Sequence, residues 1–277
     1  MKGSGRPYFE IANPEIPKIL EGLPRGLRVL DVGCGSGVHG AELLRLHGHR
    51  VVGVDLSEAS IEKAKTRLAE AYVADVTQPD RYPFFGRQHF DVILFSDMLE
   101  HLSDPLDVLT RHYGLLARGG QVLISLPNVA IWNVRLALLA GQFEYGDTGT
   151  LDRTHLRFFT RRSFFRFLSQ AGLSVSRNRI TPGILRPLVP WIKQLYGQGS
   201  EAAQQSDSSS IMDSAPYRAY MRWLYPLERW ICGLWPGLLA FQFVILARPA
   251  SLAPLGDSSS VDQVPSDLAA LGTFSAK

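Results

Sequence analysis

The sequence predicts an α/β fold, a doubly wound and mostly parallel sheet with helices on both faces. Three observations carry this reading. Short β-branched apolar runs alternate with helical patterns from Arg28 to about Asn128. A glycine-rich turn stands between the first run and the first helical pattern. Acids stand at the ends of the first three runs.

Residues 1–27 read as an N-terminal helical segment, and MKGSGRPYFEIANPEIP lacks the continuous apolar stretch of a secretory leader, which predicts folding in the cytoplasm. Residues 28–180 read as the cofactor-binding α/β domain. Its strands are RVLDVG, RVVGVDL, AYVADV, FDVILFSD and GQVLISLPN, and its helices are VHGAELLRLHG, SEASIEKAKTRLAE and PLDVLTRHYGLLA. Ser57 reads as an N-cap with Glu58 in the first turn, and Gly119-Gly120 as a helix stop. A polar, aromatic stretch after Asn128 leads to a helix, RRSFFRFLSQAG, and a strand, LSVSRNRI. Residues 181–240 form a Pro- and Trp-rich helical insertion, broken at about 198–214 by GQGSEAAQQSDSSS, which has too little apolar surface to order itself. FQFVILAR, within 241–249, is the last strand, and 250–277 is expected to be a disordered tail.

Twenty-nine Lys and Arg against 26 Asp and Glu leave a net charge of +3 in 277 residues, which gives no reason to expect nucleic acid. Cys34 and Cys232 stand far apart, excluding a disulfide scaffold and a cysteine-rich zinc site. His47-Gly-His49 has no third ligand at suitable spacing, so no metal is expected. His39, His47, His49, His89 and His112 read as surface residues.

The turn is Asp31-Val-Gly33-Cys-Gly35-Ser-Gly37, after a strand and before a helix, where glycines let a ligand approach the backbone and free helix amides face it. Gly35-x-Gly37-x-x-Gly40 also fits a dinucleotide fingerprint, so the glycines alone do not choose the cofactor. Asp31 helps to choose, because a carboxylate there repels a pyrophosphate and suits a ligand with an amino group and a sulfonium charge. Asp55 ends the second strand, where an acid accepts from ribose hydroxyls, and Asp75 ends the third, where one accepts from an adenine amino group.

With DVGCGSG, VVGVDLS and ADV in place, the chain resembles the class I S-adenosylmethionine-dependent methyltransferases from Tyr8 to about Ala247. FDVILFSDMLEHLSDP and LLARGGQVLISLPN look like that family's fourth-strand segment and fifth-strand lead-in. The resemblance implies a Rossmann-like sheet of seven strands with FQFVILAR antiparallel. It implies S-adenosylmethionine as cofactor, held by Asp31, Gly33, Gly35, Gly37, Asp55, Leu56, Asp75, Val76 and Ser96. The stretch PNVAIWNVRLALLAGQFEYGDTGTLDRTHLRFFT looks like a bacterial subgroup associated with surface polysaccharide and small-molecule biosynthesis.

Methyl transfer needs alignment and exclusion of water, and a base only where the acceptor carries a high-pKa proton. Two histidines are candidates. His101 follows the fourth strand at the carboxyl edge of the sheet, and His155, with Asp152 to orient it, lies in the polar segment after the fifth. The insertion carries four of the five tryptophans with Arg flanks, which suits both a helical cap and a peripheral contact at the inner membrane surface. The uncharged run Trp230 to Ala247 is interrupted by Gly233, Pro236 and Gly237 and is not expected to span a bilayer.

The function expected is O-methylation of a sugar-containing, lipid-linked or other small hydroxylated acceptor. The alternatives are an NAD-dependent oxidoreductase or epimerase, which lacks its Tyr-x-x-x-Lys pair here, and a non-catalytic cofactor-binding partner subunit.

Overall fold

The computed structural model describes residues 12–86, 89–185 and 218–250. The loop expected at about 198–214, the tail beyond residue 250 and residues 1–11 lie outside the described residues.

The strands are β1 (Arg28–Val32), β2 (Arg50–Asp55), β3 (Glu70–Val73), β4 (Phe90–Ser96), β5 (Leu116–Pro127), β6 (Leu173–Pro182) and β7 (Ala240–Pro249). They form one seven-stranded sheet in the order β3-β2-β1-β4-β5-β7-β6. β1 to β5 are parallel, and β7 runs antiparallel to both β5 and β6. The order reverses beside β1, where β1 leads to β2 on one side and β4 stands on the other, and in open α/β sheets that crevice takes the ligand.

Both faces of the sheet are covered, which is why its inner strands are mainly runs of consecutive apolar residues rather than alternating. On one face Leu30, Val32, Ile93, Phe95 and Ile124 pack against α4 (Pro105–Arg111) and α6 (Arg161–Gln170). On the other, Val29, Val92, Leu94 and Leu123 pack against α1 (Glu15–Ile19), α2 (Val38–His47) and α3 (Glu58–Ala64). Thr160 and Ser163 close a capping box at the start of α6, and Phe164, Phe167 and Leu168 bury its apolar stripe. Truncating fully buried Phe164 to Ala costs about 3 to 5 kcal/mol.

Gly119-Gly120 does not stop a helix. α4 ends at Arg111, a 3₁₀ turn spans His112–Leu115, and β5 begins at Leu116. Phe90 pairs with Leu116 but Val92 pairs with Gln121, so the glycines lie in a bulge. A Cβ on Gly120 would stand 3.0 Å from the Phe90 carbonyl oxygen, a backbone approach that admits only glycine.

Three histidines expected at the surface have structural partners inside. His112 is fully buried, with Nδ1 on the Val108 carbonyl at 2.7 Å and Nε2 on Tyr82 Oη at 3.0 Å, and burial pushes its pKa down to about 4. His49 is buried and accepts from Leu27 N. His39 is half-buried and accepts from Asn13 N. Amphipathic ring chemistry lets a histidine serve as a core polar residue, and polar neighbours in sequence do not reveal it.

The insertion contains a π-helical turn (Tyr220–Leu224), α7 (Tyr225–Leu234) and α8 (Pro236–Leu239), with α5 (Trp132–Leu139) lying between β5 and the polar segment. Tyr225, Glu228 and Cys232 form the buried face of the insertion helix. Tyr225 Oη donates to Glu15 Oε1 at 2.9 Å, docking α7 on α1. Burial pushes the Glu15 carboxyl up, but Arg179, Lys18 and Tyr225 together outweigh it and hold the group ionised. Among the described residues no helix is long and apolar enough to cross a membrane.

Candidate functional site

The glycine turn fills the gap between the carboxyl ends of β1 and β2. Gly33 N and Cys34 N both donate to the Val54 carbonyl, and Gly33, Gly35 and Gly37 have φ of 74°, 53° and 80°, the left-handed region where a Cβ is costly. Gly37 is the N-cap of α2 and has no side chain to occupy the helix amides. Gly33 also serves packing, since a Cβ there would stand 2.6 Å from Met98 Sδ.

Acids stand above this turn. Asp55 Oδ2 accepts from Gly35 N at 2.9 Å and Oδ1 from Ser57 N at 2.8 Å, so one carboxylate ties the turn to the start of α3. Asp75 lies two residues past β3, where the Thr77 amide and hydroxyl, together with Gln78, hold its carboxyl below the usual range. Leu56 is exposed and Val76 buried. Asp31 is buried within β1, opposite Gly53 and Leu94, and not at the open mouth that its position before the turn suggested. Buried Ser96 bonds Ser125 Oγ at 3.1 Å and His39 Nε2 at 3.4 Å.

The residue after Ser96 was missed. Asp97 has φ of 49°, the one non-glycine at positive φ among the described residues, and such strain collects at functional turns. Its Oδ1 accepts from Gln242 Nε2 at 2.6 Å, and Gln242 Oε1 in turn accepts from Asn13 Nδ2 at 3.0 Å. The signal was present: Asp97 follows β4 as Asp55 ends β2 and Asp75 follows β3. Four carboxylates, Asp31, Asp55, Asp75 and Asp97, thus mark four adjacent strands, a field that favours a cationic ligand and opposes a pyrophosphate.

Beyond Asp97 a 3₁₀ turn, Leu99–His101, meets the polar segment before α6, because Leu156 N and Arg157 N both donate to the Glu100 carbonyl. This clamp brings His101 and His155 together, their rings edge to face with centroids 4.8 Å apart. His101 Nδ1 lies 3.2 Å from the Thr154 carbonyl oxygen and His155 Nδ1 3.2 Å from that of Thr150. Each carbonyl fixes the tautomer with the proton on Nδ1 and leaves Nε2 as the basic nitrogen. Asp152 Oδ1 accepts from Thr154 N and Oγ1, shaping the loop that carries His155, and its charge acts on the His155 imidazole. Burial pushes both imidazoles below the usual histidine pKa, so both are neutral at pH 7. Glu100 was also missed. It is 1% exposed, and burial with Asp97 and Asp152 nearby drives its carboxyl well above the usual range.

The geometry is matched by likeness to known proteins. A family model described as a methyltransferase domain matches residues 6–177, more than half of the chain. The ubiquinone biosynthesis O-methyltransferase of Aromatoleum aromaticum is 31% identical over 156 residues, covering 54% of this chain and 65% of that protein. The enzyme of the same description from Ruegeria pomeroyi is 34% identical over 154 residues, covering 53% and 60%. The chain therefore spans less than two thirds of the length of these curated relatives. The cyclopropane synthase MmaA2 from Mycobacterium tuberculosis superposes with a TM-score of 0.52 at 18% identity, covering 84% of this chain and 83% of that one, which shows the shared fold. The chain belongs to the methyltransferase-domain family, with the class I fold and S-adenosylmethionine as its cofactor. The residues present fit that cofactor: a left-handed glycine turn admits close approach of the backbone, and the carboxylates at or just past the ends of β2, β3 and β4, Asp55, Asp75 and Asp97, suit ribose hydroxyls, an amino group and a positive sulfur.

Proposed function

We propose that this member of the methyltransferase family is an O-methyltransferase acting on a small hydroxylated acceptor carried by, or linked to, an apolar group. The observation that carries the reading is the His101–His155 pair, two neutral imidazoles with Nδ1 held by backbone carbonyls, in the loops that follow β4 and β5. S-adenosylmethionine, when bound, supplies a methyl group already activated by the sulfonium. Gly33, Gly35 and Gly37 give it backbone access, Asp55 accepts from the ribose hydroxyls and Asp75 from the adenine amino group. His101 Nε2 would take the acceptor's hydroxyl proton as its oxygen receives the methyl group. His155 packs against the His101 ring and holds it in place. General-base help of this kind contributes about 10² to 10⁴ in rate.

The exposed face of the insertion supports an apolar carrier and peripheral contact with a membrane. Trp223, Leu227, Trp230 and Leu234 recur at helical spacing, each more than half exposed, opposite the buried Tyr225, Glu228 and Cys232. Arg222 is exposed and Arg229 half-buried beside them, and Trp with Arg at one face is the composition of a helix lying in the headgroup layer. The relatives' description as ubiquinone biosynthesis O-methyltransferases supports a hydroxylated acceptor of that kind.

Calorimetry of the purified chain against S-adenosylmethionine, S-adenosylhomocysteine and NAD, followed by methyl-label transfer to hydroxylated acceptors in phospholipid vesicles, tests the reading. Binding of the first two and label on oxygen are expected. Binding of NAD instead, or label found only on nitrogen or carbon, would overturn it.

A further inference from the structure

We propose that Glu100, His101 and His155 form a site for one divalent first-row cation, with zinc the best match to the donors. The three side chains each offer a ligand atom, and these atoms all lie within 4.8 Å of one another. Two imidazoles and a carboxylate are the donor set that protein zinc sites use when one position is left open for a water or a substrate oxygen. Ligand distances of about 2.0 to 2.2 Å require each donor to draw in by less than about 1 Å, within the reach of side-chain rotation.

Two further observations point to an ion. Both imidazoles present Nδ1 to a backbone carbonyl, Thr154 for His101 and Thr150 for His155, which is the outer-shell arrangement that fixes a metal-binding tautomer and leaves Nε2 free to donate its lone pair. Glu100 is 1% exposed, and neither of its carboxyl oxygens has a hydrogen-bond partner among the described residues, a costly state for a buried polar group that a cation would remove. The site is built by long-range contacts: Leu156 N and Arg157 N donate to the Glu100 carbonyl, so the turn after β4 and the segment before α6 are clamped in register around it. The pair His47 and His49, the other close histidines in sequence, stack at 5.2 Å, but His49 Nδ1 accepts from Leu27 N and His47 Nε2 lies 3.0 Å from the Pro17 carbonyl.

Cation binding at this trio does not depend on the methyltransferase reading; its use does. An acceptor hydroxyl in the open position would lose its proton to solvent near neutral pH under the charge of the ion, relieving His101 of that task in the loaded enzyme.

The test uses the full chain, stripped with a chelator, dialysed and titrated with Zn²⁺ alone by calorimetry and with Co²⁺ alone by visible absorption. Expected are saturable 1:1 binding and the intense bands of low-coordinate Co²⁺. Glu100→Gln, His101→Ala and His155→Ala should each weaken binding by at least about tenfold, the lower end of what losing even an outer-shell partner costs. His47→Ala should change nothing. Circular dichroism confirms the fold of each variant, and His101→Ala, at a half-exposed position, keeps the test valid if Glu100→Gln does not fold. Absence of 1:1 binding to the stripped chain would overturn the inference, as would binding that depends on His47 and not on the trio. S-adenosylmethionine affinity, measured in parallel without metal, keeps failure of this inference distinct from failure of the methyltransferase reading.

Discussion

The two sides of the sheet edge are built on different principles. The side proposed for the cofactor, from β1 to β3, is built around one turn of seven residues, Asp31 to Gly37, with positive φ at Gly33, Gly35 and Gly37, and acids at the following strand ends. The side proposed for the acceptor, from β4 onward, is made by contacts between distant segments. His101 meets a loop 53 residues on, Asp97 accepts from Gln242 across 145, and Gln242 accepts from Asn13 across 229. The glycine turn is complete once β2 pairs with β1, because Val54 and Asp55 hold its amides. The Asp97–Gln242–Asn13 chain forms only when the last strand, β7, has closed the sheet.

The largest effect expected from breaking one side alone falls on the acceptor side. His101→Ala should lower single-turnover methyl transfer by about 10² to 10⁴, and His155→Ala by less. Unchanged single-turnover rates in both variants would remove the pair from the chemistry. On the cofactor side, Gly35→Val places a β-branched residue at φ of 53° in the turn that Asp55 holds, and S-adenosylmethionine binding should fall by at least about tenfold with the circular dichroism spectrum kept. Normal binding by the folded variant would show that the turn does not face the ligand.

Acid sharpens the comparison through a histidine of the framework. His112 binds a proton at about 4 in the fold and at the ordinary 6.5 when unfolded, so the unfolded state holds more protons between those values. Its contribution, about 3 kcal/mol by the size of the shift, is complete above pH 6.5 and is lost as pH falls toward 4. Denaturant unfolding at pH 7 and pH 4.5 reads it, and His112→Gln should reduce the difference, leaving the part due to His39, which burial also pushes down to about 4. The smallest expected effect lies furthest from the chemistry: Trp230→Ala should weaken binding to anionic phospholipid vesicles several-fold and leave S-adenosylmethionine affinity unchanged. A variant that binds vesicles like the parent would exclude that face as the contact.

Legibility follows the same division. The fold class was readable, because a parallel sheet covered on both faces leaves continuous apolar runs, whereas the count of seven strands and the antiparallel FQFVILAR strand came from the family resemblance. The glycine turn, Asp55 and Asp75 were readable because backbone geometry dictates residue type at a fixed spacing. Asp97 was readable in principle by the same strand-end rule. Glu100 and Gln242 were not, since nothing local distinguishes a glutamate in LEH, or a glutamine inside an apolar strand, from their solvated counterparts. His112 and His49 were misplaced for a related reason: burial of an imidazole depends on partners such as Tyr82 and Leu27 that stand far away in sequence. Gly119-Gly120 was misread because a glycine pair marks a bulge as readily as a helix end, and only the register of β4 against β5 decides.

The central claim is that one half of this edge holds the cofactor and the other serves the acceptor. It is tested most directly by calorimetry with S-adenosylmethionine on two variants. Asp55→Ala should weaken binding by about tenfold or more, through loss of the acceptor for the ribose hydroxyls, while His101→Ala should bind within about twofold of the parent. If His101→Ala weakened the cofactor as much as Asp55→Ala, or if Asp55→Ala bound it as tightly as the parent, the division would be contradicted.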